Sequence, residues 1–105
     1  MTFIIAAEPL AERLQAAAAC GMTTAVWAEV QPDRIAVIDP DGKTHSFREI
    51  NAAANRIVRR LRAAGVTSGD AIALICSNRH EFIEVLAAAL RGGYRLTPIN
   101  WHLTA

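Results

Sequence analysis

The residues best equipped for chemistry are three histidines, two cysteines and a run of arginines. An imidazole can ligate a metal or carry a proton near neutral pH. His45, His80 and His102 fall on three different elements, with no ligand spacing between them. A metal centre would need a paired spacing or a convergence that the sequence does not display. Cys76 ends an apolar strand with no base beside it, so it reads as a small core residue rather than a nucleophile. The stretch "RIVRRLR" (56–62) could face phosphate, but its periodicity makes it the solvated side of an amphipathic helix. Ser77-Asn78 stands between a strand and a helix, where ligands gather in open α/β sheets. Every strand–helix junction shares that geometry, so the position alone is weak. "GMTTAV" (21–26) has the glycine and threonines of a phosphate loop but lacks its second glycine and its lysine. "TSGD" (67–70) joins a helix to a strand as a tight turn. No catalytic, cofactor-binding or metal-ligating residue is therefore assigned from the residues.

The elements that hold these groups can be read from spacing. Leu10, Leu14 and Ala17 recur at helical intervals within 8–20, and Gly21 follows as a stop. Thr23 or Thr24 is expected to cap a short second helix ending near Pro32. "RIAVID" (34–39) and "KTHSF" (43–47) are strands joined by the turn "DPDG" (39–42), a hairpin. Ser46 and Glu49 form a capping box ahead of a helix over 47–64. Phe47, Ile50, Ala54, Ile57, Val58 and Leu61 share one side of it, with Arg48, Arg56, Arg59 and Arg60 opposite, and Gly65 ends it. "AIALIC" (71–76) is almost uninterruptedly apolar, which predicts a strand covered on both faces. A helix follows over 80–91, with Phe82, Val85, Leu86, Ala89 and Leu90 opposite Glu81, Glu84 and Arg91. A last strand spans 95–99. The strand–helix–strand unit from 71 to 99 predicts two parallel strands, adjacent or one apart, with a right-handed crossover. The fold class is α/β with a mixed, partly parallel sheet and flanking helices, in one partial domain over 1–105.

Composition narrows the function classes. A chain of 105 residues suits one small domain. A net charge of +1 gives no electrostatic case for nucleic acid. Two cysteines are too few for a disulfide framework and point to a reducing, cytoplasmic compartment. "FIIAA" (3–7) is too short for a secretory signal, and no run approaches a membrane span. The 21 alanines favour helix and close packing.

Residues 35–105 resemble the N-terminal segment of the AMP-forming adenylate-forming enzymes, and within them an acyl-CoA synthetase or fatty-acid–CoA ligase. The resemblance is carried by an ordered set of features. These are Thr44–Phe47 at a helix start, Ala54-Asn55-Arg56, Leu61 with Gly65-Val66, and Gly69-Asp70. After them come the apolar strand into Asn78, Glu81-Phe82, and Gly93 leading to Pro98-Ile99-Asn100. In that family a helix beginning Leu-Thr follows, and here the sequence closes on "PINWHLTA" (98–105).

The resemblance implies a parent enzyme that joins a carboxylic acid to ATP, releases pyrophosphate and passes the acyl group to coenzyme A, with magnesium offsetting phosphate charge. The family's phosphate loop, its AMP- and magnesium-holding segment, its ribose-binding Asp and its C-terminal lysine would lie downstream. No family site residue maps onto a position here, and ATP, magnesium and CoA are expected for the parent only. The expectation is an N-terminal scaffold fragment, inactive alone, that self-associates through unfinished edges. Two other classes stay open: a short non-catalytic interaction module, and a small-ligand-binding α/β domain. The coding sequence immediately downstream would separate them.

Overall fold

A computed structural model of the chain describes residues 10–99. The readings of 1–9 and of 100–105, His102, Trp101 and Leu103 included, lie outside the described residues.

The elements run α1 (Leu10–Ala19), α2 (Thr23–Val30), β1 (Ile35–Ile38), β2 (Thr44–Ser46), α3 (Phe47–Ala63), β3 (Ala71–Ile75), α4 (His80–Gly92) and β4 (Arg95–Ile99). Each expected element is present, in the expected order. β1 and β2 form an antiparallel hairpin with an irregularity in register between Ile35 and Val37. β3 and β4 are adjacent and parallel, from Ala71 opposite Arg95 to Ile75 opposite Ile99. Among the described residues, the mixed sheet of the sequence reading is resolved into two separate two-stranded sheets.

Local sequence explains α3. Ser46 sits at its N-cap in extended backbone and its hydroxyl accepts the Glu49 amide at 3.2 Å. At the other end Gly65 takes φ +90°, the Gly65 amide reaches Arg62 O at 3.0 Å, and the Val66 amide reaches Leu61 O at 2.9 Å. Those two bonds satisfy carbonyls that the last turn would otherwise leave open. α2 differs from expectation: Met22, not a threonine, stands at its N-cap, with no side-chain bond.

The core lies between α3 and α4. Ala54, Val58, Ala87 and Ala88 are buried together, with Ile57 packed against them. Ile50 is fully buried nearby. Small side chains on both helices let the backbones approach. This corrects part of the stripe expected on α4: Ala89 is buried and Phe82 and Val85 are half-buried as expected, but the two leucines are not. Leu86 and Leu90 are exposed, whereas Ala87 and Ala88 face inward and Arg91 is half-buried. Arg91 Nη1 donates to Asn55 Oδ1 on α3 at 2.7 Å. The physical reason is fit: alanine suits a close helix pair, and an arginine that finds an acceptor can cross it.

The reading of "AIALIC" as covered on both faces is also overturned. Along β3, Ala71, Ala73 and Ile75 are exposed and Ile72 and Leu74 are half-buried. Among the described residues, helices cover one face of the strand pair and leave the other open. Around the hairpin, Trp27 of α2 stacks on Phe47 at 5.9 Å between ring centroids. The Phe47 and Arg48 amides donate to Arg34 O and Pro32 O, both at 3.0 Å, so the start of α3 is tied to the chain that enters β1.

Candidate functional site

The turn "DPDG" does more than reverse the chain. The Asp39 amide donates to Lys43 O at 2.8 Å, the Gly42 amide donates to Asp39 O at 2.9 Å, and Gly42 takes φ +89°. This geometry sends the Asp39 carboxylate inward, and the residue is 8% exposed. Its Oδ1 accepts the backbone N–H of His80 at 2.7 Å. Its Oδ2 lies 2.8 Å from His45 Nε2 and 2.7 Å from His80 Nδ1. The two imidazoles stack, with centroids 3.8 Å apart and planes 20° apart. His45 and His80 thus converge, contrary to the sequence reading of unrelated histidines. The reason is topological: the end of α3 and the β3 strand return the chain so that α4 starts beside the hairpin.

Further carboxylates surround the pair. Glu49 Oε2 is 3.6 Å from His45 Nδ1, and Glu84 Oε2 is 4.0 Å from His80 Nε2. Glu81 Oε1 lies 2.7 Å from His80 Nδ1, yet it is buried with no hydrogen-bond partner among the described residues, because the contact is poorly directed. Burial pushes the Asp39 carboxyl up, but hydrogen bonds from the His45 ring, the His80 amide and the His80 ring outweigh it and bring it down to about 2. The hydrogen bond to Asp39 raises His45, against its burial, with further attraction from Asp39, Glu49 and Glu84. Burial raises Glu84, opposed mainly by His80. A pocket of about 450 Å³ opens beside the pair, lined among others by Arg48, Glu49, Arg56 and Glu84.

Donor atoms of Asp39, His45 and His80 all lie within 4.8 Å of one another, a spacing that invites comparison with a metal centre. In this structure the groups are joined by hydrogen bonds, with His45 Nε2 and His80 Nδ1 both on Asp39 Oδ2.

The other sequence candidates stay apart. Arg56, Arg59, Arg60 and Arg62 are exposed on α3. Cys20 is an exposed thiol and Cys76 a half-buried one, the latter directed at Ser77 O at 3.1 Å. Asn78 lines a small apolar cavity with Val37, Ile38, Arg79, Phe82 and Ile83. In "TSGD", Asp70 Oδ2 accepts the Thr67 amide at 2.8 Å, and the Gly69 amide reaches Gly93 O at 2.8 Å, so the segment is structural. Gly21 takes φ +72° in the turn between α1 and α2. The N-terminus of α4 is faced by Asp39, Glu81 and Glu84, and Lys43, the sole lysine, lies in the hairpin turn.

Fold and site together define an α/β scaffold whose polar cluster ties elements to each other. The chain belongs to the AMP-binding enzyme family, whose model matches residues 24–105. A fatty acid–acyl-carrier-protein ligase from Streptomyces coeruleorubidus is 34% identical over 83 residues, covering 79% of this chain and 16% of that protein. A 2-succinylbenzoate–CoA ligase from Geobacillus kaustophilus is 42% identical over 78 residues, covering 74% of this chain and 16% of its own. Among solved structures, a Mycobacterium tuberculosis fatty acyl CoA synthetase matches with a TM-score of 0.72 at 32% identity, over 80% of this chain and 17% of that one. The chain thus spans about a sixth of the length of these relatives. No helix among the described residues is long and apolar enough to cross a membrane.

Proposed function

We propose that this chain is the N-terminal scaffold of an ATP-dependent, AMP-forming acyl-CoA synthetase and carries out no adenylation by itself. The observation that supports this reading is a disproportion. The family match takes in most of this chain, while the chain corresponds to about a sixth of the ligases named above. Adenylation requires a triphosphate and a carboxylate held in line, with charge stabilisation at phosphorus. The described residues offer structural turns and an acidic cluster instead. In the complete enzyme, ATP, magnesium and coenzyme A would be held by sequence beyond this segment, and α3 and α4 would support the layer beneath the active-site face. The two free thiols agree with a cytoplasmic setting.

In isolation the chain self-associates in this reading. Ile38, Ile75, Leu90 and Ile99 are exposed, and among the described residues each sheet has two strands and so two open edges. Exposed apolar surface and unpaired edges both favour pairing between chains. A pyrophosphate-release assay with ATP, magnesium, coenzyme A and a panel of fatty acids tests the catalytic part. The expected result is background; turnover that copurifies and scales with this chain would refute it.

A further inference from the structure

We propose that Asp39, His45 and His80 form a proton-linked latch that fastens the β1–β2 hairpin to the start of α4. Among the described residues the two sheets share no strand pairing, so the hairpin is joined to the strand–helix–strand unit by other contacts. α4 begins without a side-chain cap of its own, since the Arg79 side chain makes no such bond. Asp39 supplies the cap from 41 residues away, through Oδ1 and the His80 amide. A carboxylate there also meets the positive end of the helix dipole. Its other oxygen holds both rings.

That geometry sets the tautomers. One oxygen accepting from both rings places protons on His45 Nε2 and His80 Nδ1. The opposite nitrogens, His45 Nδ1 and His80 Nε2, then face Glu49 and Glu84. A second proton on either ring therefore arrives beside a carboxylate already in position. The charged groups around the rings come from every neighbouring element. Asp39 comes from the hairpin, Arg48, Glu49 and Arg56 from α3, and Arg79, Glu81 and Glu84 from the start of α4. Arg48 is drawn to Asp33 at 3.0 Å and Arg79 to Glu81 at 2.9 Å, so the carboxylates outnumber the cations free to serve them. The first proton turns hydrogen bonds already assisted by the ionised Asp39 into an ion pair, with charge on both donor and acceptor. The second is resisted, because two cationic rings would stack 3.8 Å apart. The latch is tightest with one added proton and loosens as that proton leaves.

The test follows the ring resonances of the whole chain from pH 5 to 9, alongside amide exchange at Asp39 and His80 corrected for its intrinsic pH dependence. His45→Gln and His80→Gln assign the rings. The expected result is a His45 titration above the unperturbed value of about 6.5. Protection of the two amides should fall several-fold as pH rises through that titration. His45→Gln, whose amide still donates to Asp39, should flatten this change, and Asp39→Asn should return the His45 titration towards the unperturbed value. If Asp39→Asn does not fold, the wild-type chain and His45→Gln decide. Titration of His45 at the unperturbed value, or protection indifferent to it, would overturn the latch.

Discussion

The carboxylate of Asp39 accepts the backbone N–H of His80 at 2.7 Å, a helix cap delivered across 41 residues of sequence. The bond joins a hairpin turn to a helix that lacks a cap of its own. Removing the carboxylate should thus be felt in two elements at once. Asp39→Ala is expected to lower the melting temperature by several degrees and to expose amides in both β1–β2 and the first turn of α4. Exchange measured by mass spectrometry checks this. A loss confined to the hairpin would show that the cap contributes nothing to α4.

The acid limb of the stability curve should carry the signature of the same group. Asp39 is held down to about 2 from an ordinary 3.8. A depressed carboxyl stabilises the fold above its unfolded value and loses that contribution as pH falls through the folded one. The contribution is complete above 3.8 and disappears towards about 2. Thermal melts of wild type and Asp39→Asn across that window should converge at the acid end. Parallel curves would place the acid limb on other carboxylates.

Ile50 is the largest fully buried side chain, at 1% exposure. Ile50→Ala should cost about 2–5 kcal/mol, for lost burial and the cavity left behind. Ala88→Leu should cost at least about 1–3 kcal/mol by the opposite fault, since Ala88 is fully buried between α3 and α4 and an added isobutyl group has no room. Urea denaturation with a constant slope measures both.

Two glycines with positive φ should respond differently to alanine. A Cβ on Gly21 would lie 2.1 Å from Leu90 O, in the backbone of α4. A Cβ on Gly42 would meet nothing within 4 Å. Gly42→Ala should cost only the left-handed penalty of about 1–2 kcal/mol, whereas Gly21→Ala should cost clearly more and shift the contact between the α1–α2 turn and α4. Equal costs would mean that the turn moves freely away from the helix.

Leu90 is 54% exposed on the outer side of α4, and Ile75 is 68% exposed at the end of β3. Leu90→Glu and Ile75→Lys should weaken self-association in sedimentation equilibrium while changing stability by no more than about 0.5 kcal/mol. A wild-type chain that stays monomeric at high micromolar concentration would remove the self-association proposal.

What the sequence by itself determined was local or periodic. The capping box at Ser46 and Glu49 and the stop at Gly65 act within a few residues, so α3 was legible at both ends. The order strand, helix, strand from 71 to 99 dictated parallel pairing, because an intervening helix must carry the chain back to the starting edge. Exposure of the α3 arginines followed from a period of 3.6 residues. What only the tertiary structure decided depended on partners distant in sequence. The inward side of α4 was chosen by the neighbour it packs against. Hydrophobicity favoured Leu86 and Leu90, but close approach to α3 selected Ala87 and Ala88 and gave Arg91 an acceptor in Asn55. Burial of β3 was decided by how many layers cover it, which no apolar run records. The candidate site was hidden for the same reason. Asp39 read as a turn residue and the histidines as strays, and only the return of α4 to the hairpin brought a buried carboxylate against two stacked imidazoles. Ser77 and Asn78 read as the entry to α4, and only the structure shows that the helix starts after Arg79 with no cap from that side chain, its first amides met by Asp39.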